Sequence, residues 1–273
     1  MVVLKNKALR TIILAMLMGA GLLVAGLLVA PMDRAGAAFQ GTNGKIAFDS
    51  NRNAQGVGLT NLDIFTLTPG GGVTPVLGAT ASNDKQPNWS SDGTKIAFAS
   101  NRNNGPNDFD IYTVNADGTQ LTQRTTGSPV DQNPAFSPDG TKIAFERGGD
   151  IFTVTLAGGG IDPVTTSLSV DVDPNWSPDG TKIAFQRGSD IYTVNADGSN
   201  QIPVVQGPLA TSANINPNWS PDGTKIAFAS NRGNAANDFD IFTVTLAGGG
   251  LTKLPGTRGR VTQSQPTLPM APG

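Results

Sequence analysis

The stretch at residues 87–102, PNWSSDGTKIAFASNR, returns as PAFSPDGTKIAFER from Pro134, PNWSPDGTKIAFQR from Pro174 and PNWSPDGTKIAFASNR from Pro217. A shorter form, NGKIAFDSNR, begins at Asn43. The turn glycines Gly44, Gly93, Gly140, Gly180 and Gly223 are separated by 49, 47, 40 and 43 residues. A period of this size with several strand-like pieces per repeat is the mark of propeller blades.

Each repeat divides into strands for local physical reasons. Residues 87–90 make a short first strand. Ser-Pro-Asp-Gly suits a tight turn, because Pro pre-sets φ, Asp bonds back to the backbone and Gly accepts positive φ. Lys-Ile-Ala-Phe forms the second strand, with Ile96 and Phe98 on one face and Ala97 and Ala99 on the other. Two apolar faces, one bulky and one small, suit a sheet held between neighbours. Asp-Ile-Tyr/Phe-Thr-Val gives the third strand; Asn-Ala-Asp-Gly or a glycine run then turns the chain into a short fourth.

The expectation is an all-β, five-bladed β-propeller of four-stranded antiparallel blades. The blades cover about 44–80 with 263–269, then 84–126, 131–166, 171–205 and 214–256. The first repeat lacks a first strand, and the C-terminal piece SQPTLP at 264–269 aligns with INPNW at 215–219, with Leu268 in the Trp219 position. That tail is expected to join blade one and close the ring, removing the open sheet edge. A truncated six-bladed ring is the alternative.

Residues 1–37 read as a targeting segment ahead of a single propeller domain at 38–273. Lys5, Lys7 and Arg10 precede an apolar run at 12–30, and Ala35-Gly36-Ala37 offers a small-residue cleavage site. The run is long for a signal peptide and nearly long enough to span a bilayer, so a cleaved signal and an uncleaved N-terminal anchor both stand. Either places the rest outside the cytoplasm, periplasmic or extracellular, with membrane contact only through an uncut N-terminus.

Composition narrows the chemistry. The chain has no cysteine and no histidine, and Glu146 is the sole glutamate. No disulfide framework, Ser-His-Asp site, Cys-His site or Cys/His zinc site can be assembled from these residues. The segment after residue 37 has 15 basic against 20 acidic residues and no basic run, which argues against nucleic acid. No catalytic residue and no resident cofactor or metal is assigned, and a monomer is expected.

WSPDGTKIAFxS(N)R…DIYTVNADG…LT resembles the repeat of the TolB-type propellers, and more distantly the propeller domains of prolyl-oligopeptidase-like peptidases. The resemblance covers nearly all of 43–268. It implies a propeller that binds a protein partner, as TolB binds the lipoprotein Pal. TolB looks like an α/β domain followed by six blades, and neither the leading domain nor a sixth blade is read in 1–273; nor is the peptidases' hydrolase domain.

Several residue sets attract a functional reading. Trp89, Trp176 and Trp219 share a repeat position with Phe136 and Leu268, which favours packing between blades over a glycan platform. An arginine follows every second strand (Arg52, Arg102, Arg147, Arg187, Arg232), and an aspartate opens every third (Asp63, Asp110, Asp150, Asp190, Asp240). A structural bridge across each hairpin is expected.

Blades one, two and five carry long Asn/Gly-rich loops between their second and third strands. The residues Asn53, Asn61, Asn103, Asn104, Asn107, Asn234 and Asn237 lie there or flank them, and they form a candidate partner-binding arc. Asp84, Asp131, Asp171, Asp173, Asn214 and Gln263 are candidates to ring the channel mouth, where a divalent cation or a peptide terminus is conceivable. Capping of the turns by Asn and Asp is the plainer reading. Glu146 is expected to pair with a neighbouring Arg or Lys. The leading function is a non-enzymatic envelope or extracellular module for a protein or peptide; the alternatives are a carbohydrate-active hydrolase or lyase using channel aspartates, and a purely structural surface module.

Overall fold

The computed structural model describes residues 2–4, 44–52, 58–78, 81–127, 129–206, 212–234, 238–256 and 259–263. The N-terminal segment at 5–43 and the closing tail at 264–269 lie outside them. Among the described residues every regular element is a strand, and no helix is long and apolar enough to cross a membrane.

The chain is a five-bladed β-propeller. A short strand, β1 (Val2–Leu4), comes first; blade one has β2 (Ile46–Arg52), β3 (Gly58–Leu67) and β4 (Val73–Pro75). Blade two is β5 (Asp84–Trp89), β6 (Lys95–Ser100), β7 (Asp110–Asn115) and β8 (Thr122–Gln123). Blade three is β9 (Asp131–Phe136), β10 (Lys142–Arg147), β11 (Asp150–Thr155) and β12 (Ile161–Pro163). Blade four is β13 (Asp171–Trp176), β14 (Lys182–Arg187), β15 (Asp190–Asn195) and β16 (Ile202–Val205). Blade five is β17 (Asn214–Trp219), β18 (Lys225–Ser230), β19 (Asp238–Thr245) and β20 (Thr252–Lys253), extended by β21 (Gly259–Gln263), which pairs with β19 and β1.

Neighbouring strands are antiparallel throughout, in the register the repeat demands: Ile96 faces Val114, and the matching Ile143, Ile183 and Ile226 face Val154, Val194 and Val244. The bulky face of one blade packs on the small face of the one before it. Phe98, Trp89 and Tyr112 thus cluster with Ala47 and Ile64 of blade one, and Trp176, Phe185 and Val194 with Ala144 and Ile151 of blade three. Trp89, Trp176 and Trp219 are each 6–7% exposed, so the tryptophans are core.

Trp176 Nε1 donates to Ala135 O and Trp219 Nε1 to Asn175 O, both at 3.1 Å and both across the blade boundary. Trp89 Nε1 is buried with no acceptor among the described residues.

Candidate functional site

Every blade runs between two faces. The upper one holds the connections from second to third strand and from one blade to the next; the lower one holds the Ser-Pro-Asp-Gly and Asn-Ala-Asp-Gly turns.

At the upper end of each inner strand a charge pair is built. Asp84, Asp131 and Asp171 have no exposed surface, and their carboxylates take Arg102, Arg147 and Arg187 of the same blade at 2.5–2.7 Å. Arg147 and Arg187 are bidentate, with Nε on one oxygen and Nη2 on the other, the geometry of a strong pair. In blade five Arg232 donates instead to Asn214 Oδ1 at 2.8 Å. Each guanidinium also caps an aromatic stack; Arg187 lies 5.1 Å from the Phe185 ring and 4.8 Å from that of Tyr192. Burial pushes the Asp84 and Asp131 carboxyls up, opposed by hydrogen bonds from Arg102 and Arg147.

The arginine's partner therefore differs from the sequence expectation. It is the aspartate that opens the first strand, not the one that opens the third. Arg147 stands opposite Asp150 in the ladder, but the bidentate bond is made on the other side, with Asp131. The third-strand aspartates hold loops: Asp110 Oδ2 accepts Asn104 Nδ2 and Gln123 Nε2, and Asp240 Oδ2 accepts Asn234 Nδ2 and Lys253 Nζ.

Of the candidate channel ring, Asp84, Asp131 and Asp171 are thus buried against arginines of their own blades, and Asn214, held by Arg232, also donates Nδ2 to Ser189 O of blade four at 2.7 Å. Asp173 lies nearer the channel and is half-buried; its Oδ2 accepts Asn216 Nδ2 at 3.0 Å. Gln263 lies in β21, backbone-paired with Val2. Of the candidate arc, Asn104 and Asn234 bind the aspartates named above, and Asn61 Nδ2 donates to Ser82 O at 3.0 Å. Asn103 and Asn107 are exposed; Asn53 and Asn237 lie outside the described residues.

The sequence also points to a second ring at the channel mouth, one residue before each repeat proline, at Gln86, Asn133, Asp173, Asn216 and Gln265, of which Gln265 lies outside the described residues. Each inner strand bulges one residue before its proline, where Gln86, Asn133, Asp173 and Asn216 have φ of 58, 52, 54 and 54°. At three of these positions the N–H reaches the preceding blade: Gln86 N donates to Asp49 Oδ1, Asn133 N to Gln86 Oε1 and Asp173 N to Glu146 Oε1. Glu146 also accepts Asn133 Nδ2 and Gln132 Nε2. The bond from Asp173 N ties the sole glutamate, and with it blade three, to blade four. The signal was present in the sequence: Asp49 and Glu146 occupy one repeat position.

The upper face is also where the blades differ. Blades three and four turn with two residues, Gly148-Gly149 and Gly188-Ser189, whereas nine residues separate β6 from β7. The long loop and the linker into blade three enclose an open cleft of about 470 Å³, lined by Gly105, Pro106, Asn107, Asp108, Pro129 and Val130. Among the described residues no three acidic side chains group as a metal site.

Together the fold and the upper face define a five-bladed β-propeller with a rigid, internally bonded frame and one variable face. Residues 160–254, less than half the chain, match the family model of the dipeptidyl peptidase IV N-terminal region. No curated protein sequence matches. Among solved structures, the chain is similar to one assigned to TolB from Agrobacterium tumefaciens, with 21% identity, a TM-score of 0.64 and coverage of 79% of this chain and 78% of that one. It is similar to TolB from Acinetobacter baumannii, with 21% identity and a TM-score of 0.66 over 84% of this chain and 56% of that one. An oligogalacturonate lyase from Vibrio parahaemolyticus follows at 14% identity and a TM-score of 0.56, over 77% and 61%. These likenesses establish a TolB-like propeller fold; the chain spans little more than half of the Acinetobacter protein.

Proposed function

We propose that the chain is an exported, non-enzymatic propeller that binds a protein or peptide partner through its upper face. The observation that carries this reading is the division of labour on that face. Its first-strand carboxylates Asp84, Asp131 and Asp171 are bound by arginines of the same blade, while its loops vary from two residues to nine. A carboxylate held bidentately has little freedom to act as acid, base or nucleophile, whereas unequal loops on a fixed frame suit recognition. The similarity to TolB adds support for a protein partner and for export. A lyase reading on Asp84, Asp131 or Asp171 would need the carboxylate released from arginine; one on Asp173, whose Oδ2 accepts Asn216 Nδ2, would not.

The test compares the chain with a variant whose loop at 101–109 is cut to the two-residue turn of blade three, each coupled to resin and exposed to envelope extract. A partner retained by the first and lost by the second supports the proposal. A partner retained equally by both removes the upper face as its site.

A further inference from the structure

The linker from blade three to blade four presents a leucine to solvent from a braced loop. Ser167 N donates to Asp150 Oδ1 at 2.9 Å, Ser167 Oγ to Ser169 O at 2.6 Å, and Ser169 N returns to Ser167 Oγ at 3.2 Å. The loop holds Leu168 at 110% relative exposure and Val170 at 59%. A large apolar side chain fixed in water by its own loop gains nothing for the fold, and such residues cluster at recognition sites.

These two side chains continue an apolar strip. Val130 packs on the core between blades two and three and lines the cleft with Pro106 and Pro129. The turn of blade three lies between the two ends: a Cβ on Gly148 would meet Pro129 Cγ at 3.2 Å, and one on Gly149 would meet Val170 Cγ2 at 3.9 Å. The strip thus crosses from blade two to blade four over a floor of two glycines, where another backbone can come close.

Its charge is one-sided at the blade-two end. Asp108 is half-buried in the cleft wall, and its carboxylate has no hydrogen-bond or ion-pair partner among the described residues. Behind it Asp110 is fully buried with Oδ1 unpartnered. The nearby guanidinium of Arg147 is already taken by both oxygens of Asp131. A cation brought by a ligand meets an unpaired Asp108 carboxylate here.

Resting on the reading that the upper face binds protein, we propose that this strip receives an extended segment of a partner protein, with apolar side chains on Val130, Val170 and Leu168 and a lysine or arginine against Asp108. The glycine floor accommodates the segment's main chain, and the two ends set its direction.

The test selects random twelve-residue peptides displayed on phage against the full chain, then titrates one synthetic, fluorescein-labelled peptide of the enriched set. The expected peptides share two apolar positions and a Lys or Arg. Val170→Asp should weaken binding at least about tenfold. Asp108→Asn should weaken it about threefold and reduce its salt dependence, as loss of an exposed charge contact does. Val170 is exposed, so an unchanged urea midpoint establishes that the variant is folded. Absence of an enriched pattern, or an affinity that neither substitution moves, overturns the proposal while leaving the loop-dependent capture above untouched. A chain that sediments as a dimer, and as a monomer with Val170→Asp, overturns it in favour of a second copy of itself.

Discussion

The two faces of this ring are built by opposite rules. On the lower face the Ser-x-Asp-Gly-Thr turns of blades two to five are nearly superimposable in their bonding. Ser90, Ser137, Ser177 and Ser220 each donate Oγ to the aspartate two residues on at 2.6 Å, and the following Thr N reaches the same oxygen at 3.0 Å. On the upper face the same blades use connections of nine, two, two and seven residues. The lower turns fix geometry once per repeat and leave nothing to vary. The upper connections hang from buried Asp–Arg pairs in blades two to four and from Asn214 and Arg232 in blade five, and can differ without disturbing the sheets. Variation is therefore confined to one face, and recognition is argued to belong there.

The largest test removes what holds the upper frame. Asp131→Ala strands Arg147 at the blade end, and breaking a buried pair costs about 3–5 kcal/mol; the partial exposure of Arg147 puts the expected loss at the lower end. Asn214→Ala in blade five removes the hydrogen bond from Arg232, about 1.5–3 kcal/mol for a charged donor, together with the one its Nδ2 donates to Ser189 O. Asn214→Asp, which restores a carboxylate opposite Arg232, isolates the charge. Urea unfolding of all three variants measures the order, and equal losses from the two alanine variants would mean that the ion pair adds nothing beyond the hydrogen bonds.

How much of this was legible follows from which residues repeat. The blades could be read because Ile96, Phe98, Trp89 and their counterparts fall in one register with turn glycines between them. The upper pairs could not be assigned fully, since in blades two to four two aspartates lie near each arginine and only the bulged first strand decides between them. That bulge depends on positive φ at Gln86 and its counterparts, which residue type suggests for Asn133, Asp173 and Asn216 but not for Gln86. The strip through Val130 and Val170 joins three blades, and no periodicity announces a surface made by unequal linkers.

A smaller effect contrasts the two kinds of upper connection. Gly148 has φ of +61° and a Cβ there would crowd Pro129, so Gly148→Ala should cost about 1–2 kcal/mol. Gly105, in the long loop, has open space around it, and Gly105→Ala should stay within about 0.5 kcal/mol. Thermal unfolding of the pair checks whether the short turns alone are strained.

The smallest effect separates the faces by pH. Hydrogen bonds from Ser220 and Thr224 hold the Asp222 carboxyl down to about 2, from 3.8, so its stabilising share is full above the higher value and lost as pH falls through the lower. Burial raises Asp84 and Asp131, so their protonation favours the fold below the unfolded value and that benefit fades as pH rises through the folded one. Asp222→Asn should therefore flatten the loss of stability between about pH 4 and 2 seen in urea titrations. Asp131→Asn should not reproduce this flattening.

The most direct measurement is hydrogen–deuterium exchange of the chain alone and with its captured partner. The account expects slowed exchange at 105–109, 129–131, 148–150 and 166–171, with the lower turns at 90–94, 137–141, 177–181 and 220–224 unchanged. Protection concentrated on those lower turns, with the upper connections unaffected, would contradict it.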